Sequence, residues 1–334
     1  MIEERAPVRQ NGPVAPTPKS RSGWTVWARL AVGVGLLILL LSRVDLSQRT
    51  IRVGADVILG VTVTGFLLLV AQAVSALRWR EILGGTAPSW AYLFRLYLIG
   101  NFFSLFLPTS IGGDAVRAVA ASRALPATSA AVTSVVVDRL IGVAALLFYL
   151  LLGLAVAPAM VLRVGAAAEW SIPAPTAVGA IVASGLIGVV AALSLLRRPA
   201  VRRRLEPAYG LLRRLWASPR DMTAIVGLGL VVQGLYIVAW ALLASALGLN
   251  LPPALFVAAV PVVSLLAMLP VSLSGIGVRE GAWLLLLAPF GIAAADAVAY
   301  SLVFFVSFAL VGAVGGVVYS MLGTAPRAMP LETT

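Results

Sequence analysis

Long apolar runs alternate with short polar breaks along almost the whole chain. Runs near 24–41, 55–76, 91–107, 126–157, 176–196, 222–247, 253–269, 281–290 and 298–322 carry few charges. Most approach or exceed the roughly 20 apolar residues a helix needs to cross a bilayer core. The pattern predicts an all-α polytopic membrane protein with about six to eight transmembrane segments. Two of the breaks are alike. Leu107-Pro108-Thr109-Ser110-Ile111-Gly112-Gly113-Asp114-Ala115-Val116-Arg117 returns as Leu269-Pro270-Val271-Ser272-Leu273-Ser274-Gly275-Ile276-Gly277-Val278-Arg279, with Leu, Pro, Ser, Gly, Val and Arg identical in register. A doubled, glycine-interrupted segment in a membrane chain predicts two broken or re-entrant helices in an inverted repeat. The pseudo-repeats fall at about 55–157 and 222–322.

Composition agrees with this reading. Of 334 residues, 60% are hydrophobic and only 11% charged, against about a quarter charged in soluble domains. Mean hydropathy is +1.01. There is no cysteine and no histidine, which removes disulfides, thiolate chemistry and the commonest metal ligands, and no cofactor is expected. The net charge of +12 rests on arginine, since Lys19 is the one lysine. Such charge reads as topology and attraction to anionic lipid, with no nucleic-acid partner implied.

The polar 1–22 stretch predicts a disordered cytoplasmic tail, 23–323 a single transmembrane domain, and 324–334 a short C-terminal tail. Residues 197–221 hold eight arginines and predict a cytoplasmic loop, as does the arginine-bearing N-terminus. Five full crossings would put these two on opposite faces. One segment must therefore turn back, and the 91–125 stretch, broken at Pro108, Gly112 and Gly113, is the candidate. The localisation expected is the cell membrane, multi-pass, with a cytoplasmic N-terminus.

Within this frame the polar residues mark a site. Asp114 and Arg117 sit at i, i+3 after glycines that leave backbone N–H groups open, which suits an anionic group. A surface turn with Asp114 as a simple cap is the plainer account. Arg279 occupies the place of Arg117 in the second copy, beside Ser272, Gly275 and Gly277. Arg279 and Glu280 are sequence neighbours and are expected to face different ways on one helix. Two arginines from opposed half-sites could clamp a phosphodiester through their planar forks. Asp138 and Arg139 need partners if they lie at membrane depth, and Arg117, Asp114 and Arg95 are the available ones. Arg95 and Asn101 could line the same cavity.

The order Ala-Leu-Arg-Trp-Arg at 76–80, Asn101 with Leu107-Pro108, Gly112-Gly113-Asp114 with Arg117, Asp138-Arg139 with Gly142, and Pro270 with Gly275, Gly277, Arg279 and Glu280 resembles the lysylphosphatidylglycerol synthase transmembrane, or flippase-like, family. The resemblance implies a membrane domain that moves, or helps to move, a lipid between leaflets. About a dozen residues follow the last apolar run, so the synthase domain of bifunctional relatives is not expected here. The expected function is binding and translocation of an anionic lipid, a phospholipid or a polyprenyl-linked glycolipid, without enzymatic chemistry. One alternative is an intramembrane hydrolase using Asp114 and Asp138. Ile111 stands where the Gly-x-Gly-Asp pattern of intramembrane aspartyl proteases has its first glycine. The other alternative is a membrane partner of a separate lipid-modifying enzyme.

Overall fold

The computed structural model describes residues 54–107, 112–125, 127–158, 163, 210–211, 213–214, 217–268 and 275–322. The expected tails, the runs at 24–41 and 176–196, most of the 197–221 loop, Pro108, Pro270 and Ser272 lie outside them. The described residues form eight helices in a repeating order of long, short, short, long. The first set is α1 (Ala55–Leu83), α2 (Trp90–Phe106), α3 (Gly112–Ala121) and α4 (Thr128–Val156), of 29, 17, 10 and 29 residues. The second is α5 (Pro219–Ala246), α6 (Pro253–Met268), α7 (Val278–Leu287) and α8 (Ala294–Leu322), of 28, 16, 10 and 29 residues. The four long helices are each long and apolar enough to cross a membrane.

The short pairs are hairpins. At 1.5 Å per residue, α3 and α7 each measure about 15 Å, half of a bilayer core. The α2–α3 pair runs antiparallel, with the Tyr92 hydroxyl donating to the Ala120 carbonyl at one end and Gly113 packed on Gly100 and Ser104 at the other. Leu83, Tyr92, Leu125 and Ala131 share one hydrophobic cluster, so the chain leaves the hairpin at the end where it came in. This is the turn-back that the charge parity of the sequence requires.

The two sets are related by inversion. α1 packs most extensively on its own counterpart α5. Gly60 near the start of α1 meets Ala246 near the end of α5, while Arg78 near the end of α1 meets Gly229. Counterpart helices thus run antiparallel. The other packings come in matched pairs, α2 on α8 with α6 on α4, and α1 on α8 with α5 on α4. The offset that carries Arg117 to Arg279 also carries Gly153 to Gly315. A Cβ on Gly153 would lie 2.5 Å from the Ala258 nitrogen of α6, and one on Gly315 would lie 1.9 Å from the Leu98 oxygen of α2. Each half's last helix therefore lets the other half's hairpin approach its bare backbone.

Apolar side chains point outward as well as inward. Leu140, Phe148, Leu151 and Val156 on α4 are about half exposed, a face suited to lipid. Polar and charged residues are turned to the interior, Gln72, Ser75, Arg78, Asn101 and Asp138 among them. The boundaries differ most from those read from the sequence at α1 and α8. α1 continues through Arg78, Trp79 and Arg80 to Leu83, because Arg78 finds an interior partner and Trp79 is fully buried. α8 begins four residues early and so brings the buried Asp296 into a helix expected to carry no charge.

Candidate functional site

Asp138 stands about a third of the way along α4 and is buried, where an unpaired carboxylate would be costly. It is 3% exposed and carries three donors. Arg78 Nε of α1 donates to its Oδ1 at 2.8 Å, while Arg117 Nη2 of α3 and the Tyr97 hydroxyl of α2 donate to Oδ2 at 3.1 and 2.5 Å. The same Arg117 nitrogen reaches Asp114 Oδ1 at 3.1 Å, and Arg139 Nε donates to the other Asp114 oxygen. Four elements are thereby tied into one file of alternating charge: Arg78, Asp138, Arg117, Asp114, Arg139.

Local sequence explains how α3 delivers its two charged residues. A Cβ on Gly113 would lie 2.2 Å from the Gly100 oxygen and from Ser104 Oγ, so only glycine allows the hairpin to close. Arg117, one turn on, is then pressed against α2. Its guanidinium lies 4.0 Å from the Tyr97 ring centroid and 4.7 Å from that of Trp79. These rings cover its faces and leave its edges for hydrogen bonding. Trp79 is fixed in turn by donation from Nε1 to Ser134 Oγ at 2.9 Å.

The second motif builds a different pair on the same plan. Gly277, at φ +83°, caps α7, and its N–H donates to Glu280 Oε2 at 2.6 Å. Arg279 Nη2 donates to Glu280 Oε1 at 2.8 Å, and Ser301 of α8 bonds to both side chains. The expectation that neighbours face apart therefore fails. The capping turn folds Glu280 back over the helix start, where the long arginine side chain reaches it. Asp138 and Arg139 do diverge as neighbours, one to Arg78 and Arg117, the other to Asp114.

Both arginines of the repeated motif, Arg117 and Arg279, line one cavity of about 330 Å³ at the centre of the bundle. Of the residues expected at a site, Asn101, Gly113, Asp114, Asp138 and Arg139 line it too. Arg95 is half-buried on α2 but off the cavity wall, because Tyr97 and Asn101 hold the inward positions of that helix. Gly112, Gly275 and Gly277 shape the backbone behind the wall, and Glu280 sits fully buried behind Arg279. Arg78, Tyr97, Gln72, Gln233 and Tyr236 line the cavity without having been singled out from the sequence as site residues. Arg78 lies just past the 55–76 apolar run, where a charge reads as the end of a span.

Three nitrogens on this wall are buried without a hydrogen-bond partner: Arg78 Nη1, Arg117 Nε and Asn101 Nδ2. Their residues are 5%, 3% and 7% exposed. Buried donors are normally paired, so three on one cavity wall point to an acceptor that belongs there. Thr64 and Trp283 each also have an unpaired polar atom, but away from this cavity. Among the described residues no group of acidic, histidine or cysteine side chains could hold a metal ion.

Comparison with known proteins gives one match. The family described as the lysylphosphatidylglycerol synthase TM region matches residues 26–315. No curated protein and no solved structure matches. With the match covering all eight helices almost to the end of α8, the chain belongs to the lysylphosphatidylglycerol synthase transmembrane-region family, membrane proteins related to lipid biology.

Proposed function

We propose that the protein binds the headgroup of an anionic lipid in the central cavity and moves it between leaflets. The observation that carries this is the set of three unpaired buried donors on a wall rich in arginine. A phosphate or comparable oxyanion carries several acceptors and no donor, which suits such a wall. The inverted pair of hairpins supports movement as well as binding, since such repeats surround the substrate sites of many transporters. The fold leaves the lipid chains an apolar exterior to follow.

The reading includes no chemical step on the lipid. A carboxylate dyad needs two side chains close enough to share a proton. Here Arg117 Nη2 stands 3.1 Å from both Asp114 and Asp138 and separates them. We place the protein in the cell membrane with the 197–221 loop cytoplasmic. The support for this placement is the loop's eight arginines, and Arg214 of that loop ties it to the end of α1 by donating to the Ile82 and Leu83 carbonyls.

The test is transbilayer movement of a fluorescent phosphatidylglycerol in vesicles reconstituted with the purified protein. Wild-type protein is expected to accelerate it, and Arg117→Lys to reduce the rate by roughly ten- to a hundredfold, since lysine keeps the charge but loses the fork. Wild-type rates in Arg117→Lys at matched incorporation would overturn the proposal.

A further inference from the structure

Asp138 neutralises its arginines from the cavity side. It lines the central cavity together with Arg78 and Arg117, the two arginines it binds. Each of them spends one nitrogen on Asp138 and keeps another unpaired, Nη1 on Arg78 and Nε on Arg117. An anion that takes up the unpaired nitrogens comes to rest near the Asp138 carboxylate, and like charges repel strongly where water is scarce. The second half neutralises its arginine differently. Glu280 lies behind Arg279, fully buried and off the cavity wall, with its oxygens taken by Arg279, Ser301 and the Gly277 N–H.

The repeat shows that the fold has a neutral way to make the same crossing. The offset that carries Arg117 to Arg279 carries Arg78 to Trp240 and Asp138 to Tyr300. There the Tyr300 hydroxyl donates to the Trp240 carbonyl at 2.6 Å, and the two rings lie 5.0 Å apart. Buried ion pairs are often no more stabilising than packed apolar groups. Packing alone therefore does not account for a carboxylate at 138.

We propose that Asp138 is an internal competitor of the ligand. It holds Arg78 and Arg117 while the cavity is empty, weakens their grip on an incoming anion, and takes them back as the anion leaves. Affinity is thereby kept low enough for release. The Tyr97 hydroxyl tempers the competition, because at 2.5 Å it occupies Asp138 Oδ2, the oxygen that also faces Arg117. This inference rests on the anion-binding reading above and assigns the residue that limits retention.

The experiment measures binding and transbilayer movement of fluorescent phosphatidylglycerol for full-length wild type, Asp138→Asn and Tyr97→Phe, with inorganic phosphate as a second binding probe. Asp138→Asn should bind the lipid about tenfold more tightly and move it about tenfold more slowly, because a tighter complex dissociates more slowly. Tyr97→Phe keeps the ring beside Arg117 but frees the carboxylate, so it should bind the lipid more weakly than wild type. A merely structural role gives another pattern, in which Asp138→Asn loses binding and movement together. That joint loss in folded protein, or shifts of the same sign in both variants, would overturn the competition. Should Asp138→Asn fail to fold, unchanged or tighter binding in Tyr97→Phe overturns it alone. A wild type that binds inorganic phosphate and not the lipid, with the same opposed shifts in the variants, would keep the competition and overturn the lipid reading. Binding of neither probe would overturn both.

Discussion

Asp138 shows how much one residue can organise. Its two oxygens hold Arg78, Tyr97 and Arg117, from three different helices, in water-poor surroundings. Asp138→Asn leaves the buried Arg78 guanidinium without its counterion and Arg117 with Asp114 alone, a loss of about 3–5 kcal/mol when one partner of a buried pair is removed. We expect a clearly lowered unfolding temperature in detergent. Combining Asp138→Asn with Arg78→Met should recover part of it, because the stranded charge goes too. Additive losses in the double variant would mean that the pair is not coupled. The sequence made Asp138 legible as a charge that needs a partner, and Arg117 as one candidate. Arg78 was hidden because residue spacing placed it past the end of a helix, and only tertiary burial shows that α1 goes on. Tyr97 was hidden for a different reason, since an aromatic in an apolar run carries no sign of where its hydroxyl points.

At the scale of elements, glycine decides which helices can touch. Gly65→Ala in α1, where an added Cβ meets no described atom within 4 Å, should be neutral or stabilising by up to about 1 kcal/mol. Gly113→Ala puts a methyl 2.2 Å from two oxygens and should cost about 1–3 kcal/mol by overpacking. It should also dislodge Arg117 and lower lipid binding, measured as displacement of fluorescent phosphatidylglycerol. Equal stability of the two variants would show that the hairpin is not closed at Gly113. The broken motifs were visible as repeated letters, and charge parity pointed to a turn-back at the first of them. What the letters did not show is that the second copy relocates its carboxylate. The offset that equates Arg117 with Arg279 puts Ile276 in the place of Asp114 and Tyr300 in that of Asp138, while Glu280 replaces Ala118. Identity at six positions concealed a change in how the arginine is neutralised.

For the whole molecule, inversion predicts which loops share a face. The chain has no native cysteine, so single cysteines report cleanly. Gly85→Cys and Ala127→Cys, flanking the first hairpin, should react with impermeant reagent from one side of the membrane. Pro253→Cys and Gly291→Cys, flanking the second, should react from the other. All four positions are exposed. Labelling of Gly85→Cys and Ala127→Cys from opposite faces would undo the re-entrant hairpin, and labelling of all four from one face would undo the inversion.

Two halves of equal length and opposite direction need not weigh the same. Exchanging them preserves the shape of the bundle but exchanges a five-member charge file for a compact arginine–glutamate pair held by Ser301. A carrier with interchangeable halves would idle evenly between its two orientations. If the protein cycles as proposed, the idle balance tips, and about 1.4 kcal/mol of difference suffices for a tenfold lean. For a lipid translocator that means one leaflet is the customary loading dock even when no gradient or fuel drives the cycle. Net direction would still belong to the lipid gradient, and on the proposed function the side on which the empty protein waits would follow from differences between the halves such as Asp114 against Ile276.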